Sequence, residues 1–217
     1  MTTRTRPTRI LSRGLTLLAA VCLLPSAFAA DAAKDVRLAS VITGDGIRSP
    51  TASVSREGSM VVTTWLSGDK VRMDFDAGPD MRGRILRDKD HAWLIRPNSH
   101  QAVPAGGVSI GRVTRLDPQR PCWDLGFPCQ ALGSGTIVGR QATGWRYRHA
   151  ERGGPHGTDQ GEFWIDAETG VLLAFDARDL AEHHYRMQTV SFEQITLDDE
   201  VFAVPKSATL PTVRLGR

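Results

Sequence analysis

Residues 60–76 read MVVTTWLSGDKVRMDFD, and their alternation decides the fold class. Met60 to Leu66 is β-branched and aromatic, Ser67-Gly68-Asp69 turns the chain, and Lys70 to Phe75 alternates strictly. Val71, Met73 and Phe75 fall on one side of the second run, and Lys70, Arg72 and Asp74 on the other. One side is apolar and one is wet, as in an antiparallel sheet that covers a core.

The same grammar extends in both directions from this hairpin. Arg84 to Arg87 leads through the polar turn Asp88-Lys89-Asp90 into His91 to Ile95, with Pro97 ending the second strand. Gly161 to Ile165 runs through Asp166-Ala167-Glu168-Thr169-Gly170 and out along Val171 to Phe175, Gly170 being free to take a positive φ. Thr136 to Val138 and Gly144 to His149 are weaker strands. His184 to Ile195 is a long final one, where Tyr185 and Met187 give way to Val190 and Phe192, a phase slip that predicts a bulge. Eight to ten short strands, and no helix beyond a turn or two near Arg178 to Glu182, predict a mainly β protein. Its sheet is large and strongly curved, or an open barrel.

Two segments do not fit a ladder. Pro97 to Leu132 carries Pro104, Pro118, Pro121 and Pro128 with Gly106, Gly107, Gly111 and Gly126, so much of it is irregular. A loop of that length inside a compact domain is functional or disordered. Glu151 to Gln160, with RGGPHGTD at its centre, reads as a hairpin tip.

The N-terminus sets the compartment. Arg4, Arg6, Arg9 and Arg13 stand without any acid, LTLLAAVCLL follows, and Ala27-Phe28-Ala29 supplies a small-x-small exit. This is the layout of a secretory signal peptide cleaved near Ala29, its apolar run of about ten residues falling short of the roughly twenty that cross a bilayer. The expected organisation is a leader over 1–29, one β domain over 30–205 and a loosely attached tail over 206–217, in a protein of the periplasm. The chain carries 27 Lys+Arg against 24 Asp+Glu, and removing the four leader arginines leaves 23 against 24. No overall basic field remains to argue for nucleic acid.

Beyond the leader only Cys122 and Cys129 remain, in PCWDLGFPC, residues 121–129. In an oxidising compartment an even, closely spaced pair reads as a disulfide, either a structural staple or a catalytic one. Zinc would want four ligands where this stretch offers two sulfurs and no His.

The leader, WLSGDKVRMDF (65–75), GRILRDKDHAWLIRP (83–97), FWIDAETGVLL (163–173) and VSFEQITLDDEVFAVP (190–205) together resemble the outer-membrane lipoprotein carrier (LolA-like) superfamily, and more closely its periplasmic members of unassigned function. The likeness spans most of residues 55 to 205. It implies a curved antiparallel half-barrel whose concave side holds an acyl chain, a lipidated protein or another hydrophobic partner. The chain departs from the carrier in the segment from Pro97 to Leu132, which is Pro/Gly-rich and stapled where the carrier uses helices to line and lid the cavity.

A sheet that curves without closing leaves an inner face that is either filled or left as a pocket. The candidates for that face are Trp65, Met73, Phe75, Trp93, Trp164, Phe175, Tyr185 and Phe192, read either as ligand contacts or as core. Trp123 and Phe127, inside the Cys122–Cys129 loop, either cap the mouth of the hollow or plug it. The partners expected are thus a hydrophobic ligand in envelope lipid or lipoprotein traffic, or an envelope protein in a sensor or interaction role. Catalysis has little to rest on. No H-E-x-x-H, G-x-S-x-G, phosphate loop or EF-hand occurs, and no cofactor is implied. His183 and His184 are adjacent and on a strand face opposite sides, and Asp198-Asp199-Glu200 reads as a solvated turn. A periplasmic hydrolase or a metal-binding protein remains the further alternative.

Overall fold

The computed structural model describes residues 35–45, 47, 57–78, 81–89, 91–96, 101–106, 111–150 and 152–206. The expected leader and the tail beyond Lys206 lie outside the described residues. So do four-residue stretches at 97–100 and 107–110, within the irregular segment.

Eleven strands are present among the described residues: β1 (Val36–Gly44), β2 (Gly58–Ser67), β3 (Lys70–Asp76), β4 (Arg82–Asp88), β5 (His91–Arg96), β6 (Gln101–Pro104), β7 (Gln130–Ile137), β8 (Arg140–Tyr147), β9 (Gln160–Asp166), β10 (Leu172–Arg178) and β11 (His184–Gln194). They form one antiparallel sheet in the order β6-β5-β4-β3-β2-β1-β11-β10-β9-β8-β7. Two meanders are joined by the pairing of β1 with β11, and the sheet stays open, with β6 and β7 at its edges. The expected class, a mainly β protein built on an open, strongly curved antiparallel sheet, is the one found.

That topology explains the irregular segment. β6 and β7 are consecutive in sequence yet lie at opposite edges, so the chain between them must cross the whole sheet. Ten strand spacings of about 4.8 Å put the edges of a flat sheet roughly 48 Å apart. The crossing runs over the buried face. Val113, Leu116, Cys122 and Leu125 join Ile42, Met60, Met73 and Ile85 from one meander, and Tyr147, Phe163, Phe175 and Tyr185 from the other, in a single core. The crossing chain is pinned to the β9–β10 turn. Leu116 N–H donates to the Gly170 carbonyl (2.9 Å), Leu172 N–H to the Thr114 carbonyl (2.9 Å), and Arg115 bridges Val171. Gly170 has φ +69°, and a Cβ there would stand 1.9 Å from the Leu116 oxygen, so glycine serves both the turn and the close approach.

The predicted bulge falls on β11. Ala39 is opposite Ser191 and Ser40 is opposite Thr189, leaving Val190 as the extra residue, 59% exposed. Past it the parity is reset and Phe192 returns to the buried side, opposite Leu38 and packed with Val36, Leu66, Val71 and Val171.

Other sequence readings are revised. β1, which ends at Gly44-Asp45, and β6 were not among the strands read from the sequence, and β6 lies inside the segment read as irregular. The stretch Arg178 to Glu182 forms no helix; Asp179 holds a turn by accepting bonds from the Ala181 and His183 N–H groups (both 2.9 Å). Residues 152–158 lie in the connection between the paired strands β8 and β9, the hairpin tip read from the sequence, but they turn back onto the core. They fold as a 3₁₀ turn, Pro155–Gly157, with Pro155 and Thr158 buried and His156 against Phe175 and Tyr185. The Tyr147 hydroxyl is hydrogen-bonded to the Thr158 hydroxyl, which fixes this plug to β8.

Candidate functional site

Strand parity sorts the eight aromatic and Met candidates that lie on strands. Met73, Phe175 and Tyr185 lie in the core of the covered face, with Phe75 packed against it and Phe192 beside it. Trp65, Trp93 and Trp164 lie on the other face. Trp65 alternates with the buried Thr64 and Leu66, and Arg72 stacks over its ring at 4.4 Å. Trp164 alternates with Phe163 and Ile165 and rests against Gly135 and Gly144. Trp93 packs with Leu86, Ile95 and Ala102 beneath Val204 of the C-terminal segment. In β2 both parities are apolar, so alternation there separates Trp65 from Leu66 without saying which is inside.

Among the described residues the covered face is closely packed. A space of about 30 Å³ there is bounded by Ile42, Val62, Thr64, Met73, Phe175 and Met187 with Gly111, Val113, Thr114 and His156. That is room on the scale of a water molecule, against the roughly 300–1,000 Å³ of a ligand pocket.

A larger opening lies at the stapled loop. Cys122 and Cys129 are disulfide-bonded, with Cα atoms 5.8 Å apart. Between them the chain makes successive turns: Leu125 N–H donates to the Cys122 carbonyl (3.1 Å) and Gly126 N–H to that of Trp123 (3.2 Å). The three-residue spacing points Cys122 and Leu125 into the core, at 4% and 0% exposure, and turns Trp123 outward, 72% exposed. Arg152 N–H reaches the Leu125 carbonyl (3.4 Å), tying the loop to the plug. The cleft beside it has a volume of about 620 Å³ and is walled by Trp123, Phe127, Pro121, Pro128 and Trp145, with Arg120 and Arg152 among its lining. The Arg120 guanidinium stands 5.5 Å from the Trp123 ring centre, and Phe127 meets His149 edge to face at 5.9 Å. Trp145, also in the lining, packs on the core and donates to the Thr143 hydroxyl (3.4 Å). Sequence reading found Trp123 and Phe127 through the cysteines; Trp145 it missed, since only the β7–β8–β9 pairing brings it beneath them.

Several other titratable groups among the described residues form ion pairs within and between elements. Asp74 accepts from both Arg72 and Arg84, and Asp176 from Arg186 and His184. His183 turns instead to Asp179 (3.0 Å), so the neighbouring histidines do part, and Asp199 pairs with Lys70 (2.7 Å). Among the described residues no three His, Cys, Asp or Glu side chains are grouped to hold a metal ion.

No protein-family model and no curated protein matches the chain. Among solved structures it is similar to an uncharacterized conserved protein from Thermus thermophilus, with a TM-score of 0.52 at 12% identity, over 82% of this chain and 90% of that one. It is also similar to the complex structure of Pseudomonas aeruginosa MucA/MucB, with a TM-score of 0.46 at 14% identity over 84% of this chain, spanning 60% of that chain. A LolA superfamily protein from Nitrosomonas europaea matches at a TM-score of 0.40 and 9% identity, over 79% of this chain and 90% of that one. These are likenesses of fold alone.

Proposed function

We propose that this is a non-catalytic binding protein of the periplasm, exported by a cleaved leader, which takes an acyl chain or the apolar segment of a lipidated or hydrophobic partner at the stapled loop. One observation carries the reading: Trp123 stands 72% exposed on a loop closed by a disulfide, beside a cleft of about 620 Å³. Burying an indole of roughly 200 Å² at about 25 cal/mol per Å² is worth on the order of 5 kcal/mol before the costs of association. A free protein leaves that unrealised, and a fixed loop spends little entropy in realising it. The arginines at the rim suit the polar or anionic end of an amphiphile, and Arg and Trp are enriched at binding hot spots.

The site differs from the concave hollow that the resemblance implied, because the crossing chain and the 152–158 plug already fill that face among the described residues. The test is binding of a fluorescent fatty acid to the purified protein, and of Trp123→Ala beside Met73→Leu. Saturable binding that Trp123→Ala weakens by about tenfold or more, with Met73→Leu unchanged, is the expected result. Binding lost with Met73→Leu and kept with Trp123→Ala moves the site to the covered face. Absence of binding in all three, with an apolar peptide also failing, overturns the reading.

A further inference from the structure

On the far side of Pro118 the same crossing segment walls a second cleft, of about 650 Å³, that the reading above does not use. Its lining brings together Arg87 and Lys89 from the end of β4 and the following turn, and Arg112 and Arg115 from the crossing chain. Among the described residues of the lining four cations stand with two carboxylates, Asp69 and Asp117, with Asp35 also near enough to act on Arg115; Asp117 is engaged with Arg120 (3.5 Å) and with the Gln119 N–H (2.8 Å). Beyond the leader the chain has 23 basic against 24 acidic side chains, so this is a local excess rather than a sample of a basic surface. Nor is it a solvated rim. Arg87 stands opposite Val71 in the β3–β4 register, on the parity that carries Met73 and Ile85 into the core, and both Arg87 and Arg115 are partly buried.

We propose that this cleft is a binding site for a multiply charged oxyanion of the phosphate class, free or carried on a lipid headgroup, held by the guanidinium forks of Arg87 and Arg115 with Lys89 and Arg112 at its mouth. Placing arginines together in partial burial costs desolvation and mutual repulsion, and both costs fall when a dianion sits among them. The electrostatics of the cleft agree. Burial and then the charge of Arg112 lower the proton affinity of Arg87; burial lowers that of Arg115, against the pull of Asp35 and Asp69. Guanidinium groups suit the ligand because their planar pairs of N–H donors match two oxygens of a phosphate. Thr114 and Thr169 add hydroxyls to the same wall.

The proposal is tested on the full exported protein by calorimetric titration with inorganic phosphate and with pyrophosphate, and by sedimentation with phosphatidylcholine vesicles with and without phosphatidic acid. Two variants with equal loss of charge are compared: Lys89→Gln/Arg112→Gln at the cleft, both exposed, and Arg82→Gln/Arg186→Gln elsewhere on the sheet. Saturable binding of one of these probes, weakened about tenfold or more by the cleft variant and much less by the distant one, is expected. Binding of the inorganic ions alone identifies a soluble phosphate compound as the ligand. Binding confined to phosphatidic acid vesicles identifies a headgroup. No saturable binding of any probe, or equal weakening by both variants, overturns the proposal.

Discussion

The imidazole of His156 and the ring of Tyr185 pack with their centroids 4.8 Å apart, tilted by 54°. Phe175 lies on another side at 6.4 Å, so the ring that tips the plug sits among aromatics on the covered face. Burial, opposed by Asp179, lowers the pKa of His156 from 6.5 to about 4. The unfolded chain therefore binds a proton more readily than the folded one, and the stabilisation is whole above pH 6.5 and lost as the pH falls toward 4. A shift of that size corresponds to about 3 kcal/mol. Urea unfolding between pH 7 and 4 is expected to show this decline, and His156→Asn, which tolerates the φ of +57° at this position, is expected to flatten it. An unchanged slope in the variant would show that His156 is not the titrating group.

Asp166 is fully buried at the end of β9, where Arg140 and Thr169 meet it at 2.8 and 2.7 Å. Burial pushes its carboxyl up, but these hydrogen bonds outweigh it and hold the group below the ordinary carboxylate range. Its stabilisation is present above about pH 4 and lost as the pH falls through the lowered pKa. Asp166→Asn keeps the shape and removes the charge, leaving Arg140 with Glu168 alone. A loss of about 3 kcal/mol is expected by denaturant titration at pH 7, and a loss below about 0.5 kcal/mol would contradict the role given to the pair.

Gly154 lies against Tyr147, and a Cβ there would stand 2.6 Å from the ring. The Tyr147 side chain is itself almost fully buried and fixed to Thr158. Gly154→Ala is expected to cost about 1–3 kcal/mol by overpacking and to raise amide exchange across residues 152–158. Exchange unchanged there would mean that the plug does not depend on this contact.

Trp123 contributes little to the fold. Trp123→Ala is expected to leave thermal stability within about 0.5 kcal/mol of the parent while removing the most solvent-exposed, red-shifted part of the tryptophan emission. Cys122→Ser/Cys129→Ser is expected to cost about 2.5 kcal/mol through the opened loop. Ligand affinity should fall in both variants, by lost contact in one and lost preorganisation in the other. A Trp123→Ala protein that unfolds at 37 °C would place the residue in the core instead.

Much of the sheet is legible in the sequence because strand pairing writes a period of two into neighbouring residues. Val71, Met73 and Phe75 declare a face, Gly170 declares a turn, and the slip at Val190 declares a bulge within a dozen residues of chain. The Cys122–Cys129 bond was readable for a related reason: after residue 29 the sequence has two cysteines, which admit one pairing.

What alternation leaves open is which of two apolar faces is covered, and by what. Trp65 and Leu66 are equally apolar neighbours, and only the crossing chain, drawn over one face by strands at opposite edges of the sheet, makes Leu66 core and leaves Trp65 beneath Arg72. The same crossing fills the hollow with Val113, Leu116 and Leu125, turns Trp123 outward above Trp145, and brings Arg112 and Arg115 to Arg87. Local periodicity fixed the strands; the long-range order of those strands decided what fills the covered face and where the open clefts lie, because contacts between residues so far apart in sequence leave no local pattern to read.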